Sequence, residues 1–568
     1  MKDLKSNRDL KEQLGKRWGA LKTERSSWMS HWRECSEFIL PRNGRFLATD
    51  RNKGGDRTNA IYDNTATRAA RTLAAGMLGG MTSPARPWFR LTLTDTELAD
   101  HQPVKIWLAE VTRRMQRAFS VSNTYRALHS MYEELGTFGT ASNTMLDDFD
   151  KMIHLYPHTI GEYALATDYK GAVNTQYRQF QKTAGQLVME FGYENCSRHV
   201  QRLWDNSDYD KWVTVIHAVE PRGARDPRKL DARNMPFRST YFEEGGDEDR
   251  ILRDSGFKRF RCLTPRWSTV GQDVYGHSPG MEVLGDAKQL QHEQFRKAQG
   301  IDYQTKPPVQ INGTMKSAGA NMLPGGATYI DSANPSGGAR ALFDSRIDLS
   351  YLLEDIRDVR DRIRGGYYTD LFLMLGSMDN ARMTATEVAE RHEEKLLMLG
   401  PVLERLHNEL LDPLIEMTFE RMLEAGDIPP PPEELDGVAL DIEFVSMLAQ
   451  AQRAVGLNSS DRFIASLGAV AQMKPGVLDK FDEDQWADVY ADSLGVDPSM
   501  IVGDDRVAII REERLAQQQQ AAAQEQAVQM AETAAKLGSV NTAQPNGLTD
   551  VMQGLTGYGS PAPYNVGA

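Results

Sequence analysis

At 568 residues the chain is longer than a single simple core organises, and a composition of 40% hydrophobic and 26% charged residues excludes disorder for most of its length. A net charge of −13 argues against a clamp on nucleic acid, whose affinity comes mainly from neutralising phosphates. Cys35, Cys196 and Cys262 stand far apart with no CxxC pair, which excludes a disulfide framework and a cysteine zinc site and fits a reducing cytoplasm.

The opening residues MKDLKSNRDLKEQLGKRW lack the apolar core of a signal peptide. No stretch approaches the roughly eighteen apolar residues of a membrane span, so a soluble protein with no membrane partner is expected. Charge is uneven: fourteen basic against eight acidic residues in Met1–Arg57, but five against sixteen in Asp427–Ile510. Such an acidic surface suits DNA sliding past without sticking, and equally an ordinary solvated face.

Leu4, Leu10, Leu14, Trp18, Leu21, Trp28 and Trp32 recur at helical spacing and predict one helix ending at Pro41. PRNGRF and a Gly/Asn/Arg-rich run to Asn59 read as an exposed loop. The alanine-rich YDNTATRAARTLAAGMLGG is helical and stops at Gly79–Gly80, and Trp88–Leu91 is a short strand with Trp88 and Phe89 in the core. From Thr137 to Trp267 short alternating runs, among them Trp212–His217 and Ser239–Phe242, predict an α+β region. Another helical stretch is expected within Gly161–Asn195, and a hairpin tip at the acidic run Glu243–Asp249.

Ser278–Pro279 reads as an N-cap with proline in the first turn, opening a helix unbroken until Pro307–Pro308, roughly 40 Å of rod. A Gly/Pro-rich excursion follows. A second helix from Ser345 to Gly365–Gly366 carries Leu349, Leu352, Leu353, Ile356, Val359 and Ile363 on one face. YYTDLFLMLGSMDNARM reads as an apolar loop without period. Thr384–Glu387 fits a capping box opening a helix to Leu423, kinked or broken at Pro401 and Pro413. Asp427–Asp436 is a linker, Ile442–Arg514 a small acidic helical region, and a Gln/Ala-rich helix from Leu515 leads to a mobile tail beyond Gly538.

Enzyme motifs fail. No GxxxxGK[ST] loop occurs, and the HEE at His392 lacks the second histidine of a zinc helix. His154 and His158 have helical metal-pair spacing, but Pro157 lies between them. Gly276–Gly280 matches GxSxG, yet the residue after Ser278 is proline, with no N–H for an oxyanion hole. No cofactor, metal or catalytic residue is assigned.

The strings PRNGRF, YDNTATRAARTLAAGMLGGMTSPARPWFRL, YGHSPGMEVLGDAKQLQHEQFRKAQ with KPPV, and RMTATEVAERHEEKLLMLGPVLERLHNELLDPLIE run in order over some four hundred residues. In them the chain resembles the portal, or head-to-tail connector, family of short-tailed double-stranded DNA bacteriophages. The match fades beyond Asp436. The resemblance implies an α+β, predominantly helical, portal-type architecture with wing, stem, clip and crown, assembled as a ring, typically a dodecamer, at one capsid vertex of the virion. Such rings, put together in the host cytoplasm, serve DNA packaging, retention and ejection. Their partners are the terminase large subunit, a tail adaptor or head-completion protein, the major capsid and scaffolding proteins, and double-stranded DNA passing without sequence specificity.

Mapped by order of elements, 1–277 is the wing, 278–305 the first stem helix, 306–344 the clip and 345–366 the second stem helix. Residues 367–383 hold the tunnel loop, 384–426 a long kinked helix from wing to crown, 427–514 the acidic crown, and 515–568 the Gln/Ala-rich helix and tail. Leu371, Phe372, Leu373, Met374, Met378, Asn380 and Arg382 are then candidates to face DNA, with ordinary packing the competing explanation for the first four. Arg357, Arg360 and Arg364 are candidate stem-lumen cations, with helix salt bridges such as Asp361–Arg364 competing. The alternative function is a capsid or tail structural protein without a channel. A nuclease or protease with an unrecognised site is a more distant one.

Overall fold

The structure is a computed structural model. It describes residues 7–47, 60–95, 101–229, 231–312, 321–330, 340–341, 350–377, 399–435, 440–445 and 504–538, with isolated positions elsewhere. The chain divides into two compact units, residues 1–480 with 493–495, and residues 481–492 with 496–568.

In the first unit the opening helix is two helices, α1 (Asn7–Glu24) and α2 (Ser26–Phe38), parted at Arg25. The reason is that they serve different cores. Leu10, Leu14, Trp18 and Leu21 of α1 lie on a five-stranded antiparallel sheet, and Trp18 stacks on Tyr177 at 6.3 Å. Trp32 and Cys35 of α2 enter the main helical core. The Arg25 guanidinium, buried at the joint, donates to the Gly161 and Tyr163 carbonyls.

The sheet runs β4 (Tyr163–Thr167), β5 (Val173–Thr183), β6 (Trp212–Pro221), β7 (Phe237–Glu243) and β8 (Arg253–Phe257), in that spatial order. Its second face is covered by α6 (Ala184–Phe191) and α7 (Arg198–Asp205) over Val213 and Val215. The helical stretch expected within 161–195 is α6, preceded there by the strands β4 and β5. Only eight residues after the Thr183–Gln186 capping box are α-helix. His158 lies on β3 (Met152–His158), hydrogen-bonded to Thr144 at 2.8 Å, so the His154–His158 spacing falls on a strand.

The main core gathers α3 (Thr65–Met81), β1 (Phe89–Leu93), α4 (Gln102–Val121), α5 (Thr124–Phe138), and β2 (Ser142–Asp148) paired with β3 and with β9 (Cys262–Leu263). Trp88 and Phe89 are buried in it, as expected. Small residues on α3 set how closely neighbours approach. A Cβ on Gly76 would sit 2.4 Å from Phe372, so only glycine lets that ring cross here.

PRNGRF is pinned rather than loose. Asn43 donates to Glu134 at 2.9 Å, Gly44 N–H to Thr159 Oγ1 at 2.8 Å and Arg45 N–H to the Ile160 carbonyl at 2.8 Å. Opposite it Gly161 has φ +92°, and a Cβ there would meet the Arg45 carbonyl at 2.0 Å. Glu134 also accepts from Thr159 and the Ile160 N–H, yet burial outweighs these bonds and pushes its carboxyl up to about 7.

Between its unfolded value near 4.5 and about 7, the folded chain holds a proton that the unfolded chain has lost. Stability therefore falls as pH rises through that window, by about 3 kcal/mol for a shift of this size. Glu134→Gln should start lower at pH 5, because an amide nitrogen cannot accept from the Ile160 N–H, and should then decline less by pH 8. Urea denaturation at the two pH values checks this, and equal declines in both proteins would refute it.

After Pro401 the expected helix is distorted once, beside Pro413, and is not broken. Residues 399–425 are continuous helix, running through a π turn at His407–Leu411 into α12 (Asp412–Ala425). Asp412 N–H bonds the His407 carbonyl, five residues back. The wide turn stands immediately before Pro413, which has no N–H to donate, so the proline is absorbed without a break. Residues 384–398 lie outside the described residues. The expected acidic helical region opens instead as a strand, β13 (Leu440–Phe444), antiparallel to β1 with Phe89 opposite Phe444. Burial lowers His407 to about 4, and its ring stacks on Phe444 at 3.9 Å.

In the second unit the described part is chiefly one helix, α13 (Asp504–Gly538), tied by Arg511 to Asp484 at 2.6 Å.

Candidate functional site

Ser278 is fully buried; its Oγ accepts from the Met281 N–H at 3.1 Å and donates to the Thr137 carbonyl at 2.8 Å. It caps a helix, as its sequence setting implies. The helix is interrupted once, at Val283, giving α8 (Pro279–Glu282) and α9 (Leu284–Thr305), a rod of roughly 33 Å.

A three-stranded sheet of β10 (Val309–Asn312), β11 (Ala327–Ile330) and β12 (Arg340–Ala341) leads to α10 (Ser350–Gly366). Residues 345–349 of the expected second helix lie outside the described residues. Helices α9 and α10 pair antiparallel: Arg362 reaches Asp286 at 3.5 Å near one end, and Glu293 meets Asp355 towards the other. Burial and the neighbouring Asp355 carboxyl raise Glu293 above the usual carboxylate range. Ile356, Val359 and Ile363 are buried as their spacing predicts, but Leu353 is 39% exposed.

The apolar run after α10 is helix, α11 (Thr369–Ser377), entered through Tyr368 at φ +51°. This corrects its reading as a loop. Leu371 and Phe372 are buried in the chain's own core, Phe372 against α3, whereas Leu373 is 59% exposed. In the single chain those two side chains pack inward, as the competing explanation of ordinary packing expects. Met374 lies on α11, with its side chain outside the described residues, as are Met378, Asn380 and Arg382.

The three candidate stem cations share one flank of α10 but differ in circumstance. Arg360 is spent on Asp63, with Nη2 at 2.7 Å and Nε at 3.0 Å. Arg364 pairs with Asp361 at 3.0 Å, the helix bridge weighed above. Arg357 is exposed with no ion pair among the described residues.

Sequence reasoning missed Asp63. Its carboxylate also accepts from the Thr65 N–H and hydroxyl at 2.9 and 2.6 Å, and from Gln294 at 3.1 Å. Burial opposes its charge, but these bonds and Arg360 outweigh it and hold the group below the usual carboxylate range. Gln291 completes the clamp, accepting from the Tyr62 and Asp63 N–H groups and donating to the Asp63 carbonyl at 2.8 Å. The start of α3 is thus locked to both long helices. Arg68, Arg360, Arg364, Tyr62 and Thr369 line an open cleft of about 610 Å³ at this junction.

Covalent chemistry finds little here. Burial pushes the thiols of Cys35, Cys196 and Cys262 up to about 12, so all three are poor nucleophiles. Among the described residues no group of three or more His, Cys, Asp or Glu side chains is placed to hold a metal ion, and no helix is long and apolar enough to cross a membrane.

Residues 11–502 match the family described as bacteriophage head to tail connecting protein. The chain belongs to that family. It is 61% identical over 544 residues to the probable portal protein of Bordetella phage BPP-1, covering 95% of this chain and 98% of that one. It is 44% identical over 542 residues to the portal protein of Salmonella phage epsilon15, again covering 95% and 98%. Among solved structures it aligns with a chain of the neck of an empty gene transfer agent particle at 12% identity, covering 76% of this chain and 93% of that one, with a TM-score of 0.35. A chain of the native gene transfer agent virion gives 10% identity, 80% and 98% coverage, and a TM-score of 0.35. This connector chain is a structural component of the phage particle, and the reading as a capsid or tail protein of another kind falls away.

Proposed function

We propose that copies of this connector chain close into a ring of about twelve at one capsid vertex, through which double-stranded DNA is packaged, held and ejected. The observation that carries the ring is the surface of the α9–α10 pair. Phe295, Ile301 and Leu353 are 38%, 41% and 39% exposed and Tyr351 is 78% exposed, apolar area that neighbours would cover.

In this reading α8–α9 and α10 are the stem, and 306–344, with its small sheet, is the clip that docks the terminase large subunit and later the tail adaptor. Residues 1–277 form the wing, 384–426 run from wing to crown, and 427–514 and 515–568 form the crown and tail. The major capsid and scaffolding proteins surround the ring during assembly in the host cytoplasm. The tunnel loop lies within 367–383, with Leu373, Met374, Met378, Asn380 and Arg382 as the side chains offered to the duplex. The ring itself performs no catalysis.

Solution mass and negative-stain images of the purified chain test this. Annular particles of about twelve subunits with a central hole are expected. A chain that stays monomeric at micromolar concentration and shows no annuli overturns it.

A further inference from the structure

The cleft at the start of α3 has more positive charge than its own chain answers. Asp63 neutralises Arg360, but Arg68 is exposed with no ion pair among the described residues, and Arg357 extends the same flank of α10 one turn on. Arg364 has only Asp361, in a pair whose side chains are 52% and 71% exposed. Pairs that open to water contribute little and exchange partners readily.

The rim is aromatic. Tyr62, 59% exposed, packs on Phe295 of α9 at 5.6 Å between ring centroids. Arginine beside exposed tyrosine and phenylalanine is the composition of a protein–protein contact, more than of a groove built on lysine for phosphates.

A complementary surface lies on the same helix. Glu354, Asp358 and Asp361 follow each other at intervals of four and three residues, all exposed, and form an acidic row on α10. At 3.6 residues per turn that row is displaced from the arginine flank by roughly a quarter to a third of a turn. Within one chain the two faces touch only at their margins, Asp361 reaching Arg364 at 3.0 Å and Asp358 reaching Arg362 at 3.6 Å in pairs open to water, while Glu354 has no ion pair among the described residues. Full face-to-face contact needs two copies, one contributing the basic face and the next the acidic one, and such a heterologous contact, repeated, can close into a ring.

We infer that the cleft formed by Arg68 and Arg364 receives the acidic row Glu354–Asp358–Asp361 from α10 of the neighbouring copy. The inference rests on the ring reading and names the surfaces that build it. It also places the arginine flank against a neighbour and not against DNA.

Two charge-reversed full-length chains test it. In one, Arg68→Glu with Arg364→Glu makes both faces acidic; in the other, Glu354→Arg with Asp358→Arg makes both basic. All four side chains are exposed, so thermal melts of the separate variants should match the unaltered chain. Each variant alone should lose at least about tenfold of its ring population in native mass spectra, because like charges now meet at every contact. Mixed in equal amounts the two should recover rings of alternating composition, since every contact then joins opposite charges.

Rings from either variant alone at the unaltered level overturn the inference, as does a folded pair that fails to recover rings on mixing. Rings that form normally from the arginine-reversed variant but release packaged DNA would place the flank in the channel, which also overturns it. An unaltered chain that never forms rings overturns the ring reading itself, a result separable from the others.

Discussion

Phe372→Ala lowers folding stability by about 3–5 kcal/mol, while Leu373→Ala, one residue on, changes it by less than about 0.5 kcal/mol. The contrast follows from burial: Phe372 is 3% exposed and Leu373 is 59% exposed. The phenyl ring fills the space that Gly76 leaves on α3, where an added Cβ would lie 2.4 Å away. Truncation opens a cavity in the core shared by α3, α10 and α11, and the flanking helices are too well tied to collapse into it, since Asp63, Gln291 and Arg360 hold their ends. Urea denaturation of both variants checks the pair. Comparable midpoints for the two would show that Phe372 is not a core residue and would return it to the list of side chains that face DNA. A defect in DNA retention in Phe372→Ala alone, with stability intact, would say the same.

The elements legible in the sequence were those whose cause is local. Ser278 followed by proline names a cap because the bond it makes is to Met281, three residues on. The stripe of Leu10, Leu14, Trp18 and Leu21 names a buried helix face because its intervals of four, four and three follow the helical repeat whatever covers it. What failed to show was what depends on distant partners. Arg25 interrupts the first helix because carbonyls more than a hundred residues away receive its guanidinium.

Strand β13 exists because Phe89–Leu93 offers an edge, and five residues spelled LDIEF give too short a period to separate it from helix. The run LFLMLG looked aperiodic because α11 is only nine residues long and, among its described side chains, buries Leu371 and Phe372 in succession beside Thr369. Asp63 and Arg360 stand 297 residues apart, and nothing near either names the other. The candidate site was therefore half legible: its arginines were visible as a set, but the aspartate that takes one of them was not.

The same kind of distant pairing governs the π turn. Glu409→Ala costs about 3–5 kcal/mol, because it strands a buried guanidinium and does not merely remove an ion pair. Arg266 is 4% exposed, and Glu409 accepts from its Nη2 at 2.6 Å, its Nε at 3.2 Å and its backbone N–H at 2.9 Å. The remaining bonds of that guanidinium, to the Gly171 and Asp273 carbonyls, satisfy geometry but carry no compensating charge. Glu409→Gln, which keeps an acceptor and loses the charge, should fall between Glu409→Ala and the unaltered chain.

Replacing both partners by apolar residues of similar volume, Arg266→Met with Glu409→Leu, should recover most of the loss, since the desolvation cost disappears along with the attraction. A double-mutant cycle in urea reads these differences, and a double variant as unstable as Glu409→Ala would show that the loss is one of packing. The π turn makes this pairing and the core compatible. Leu410 and Leu411 are 0% and 1% exposed, so two consecutive side chains point inward while Glu409 beside them turns toward Arg266. Regular α spacing into Pro413 would require an N–H that proline lacks, and the widened turn removes that demand at the point where the charge must be delivered.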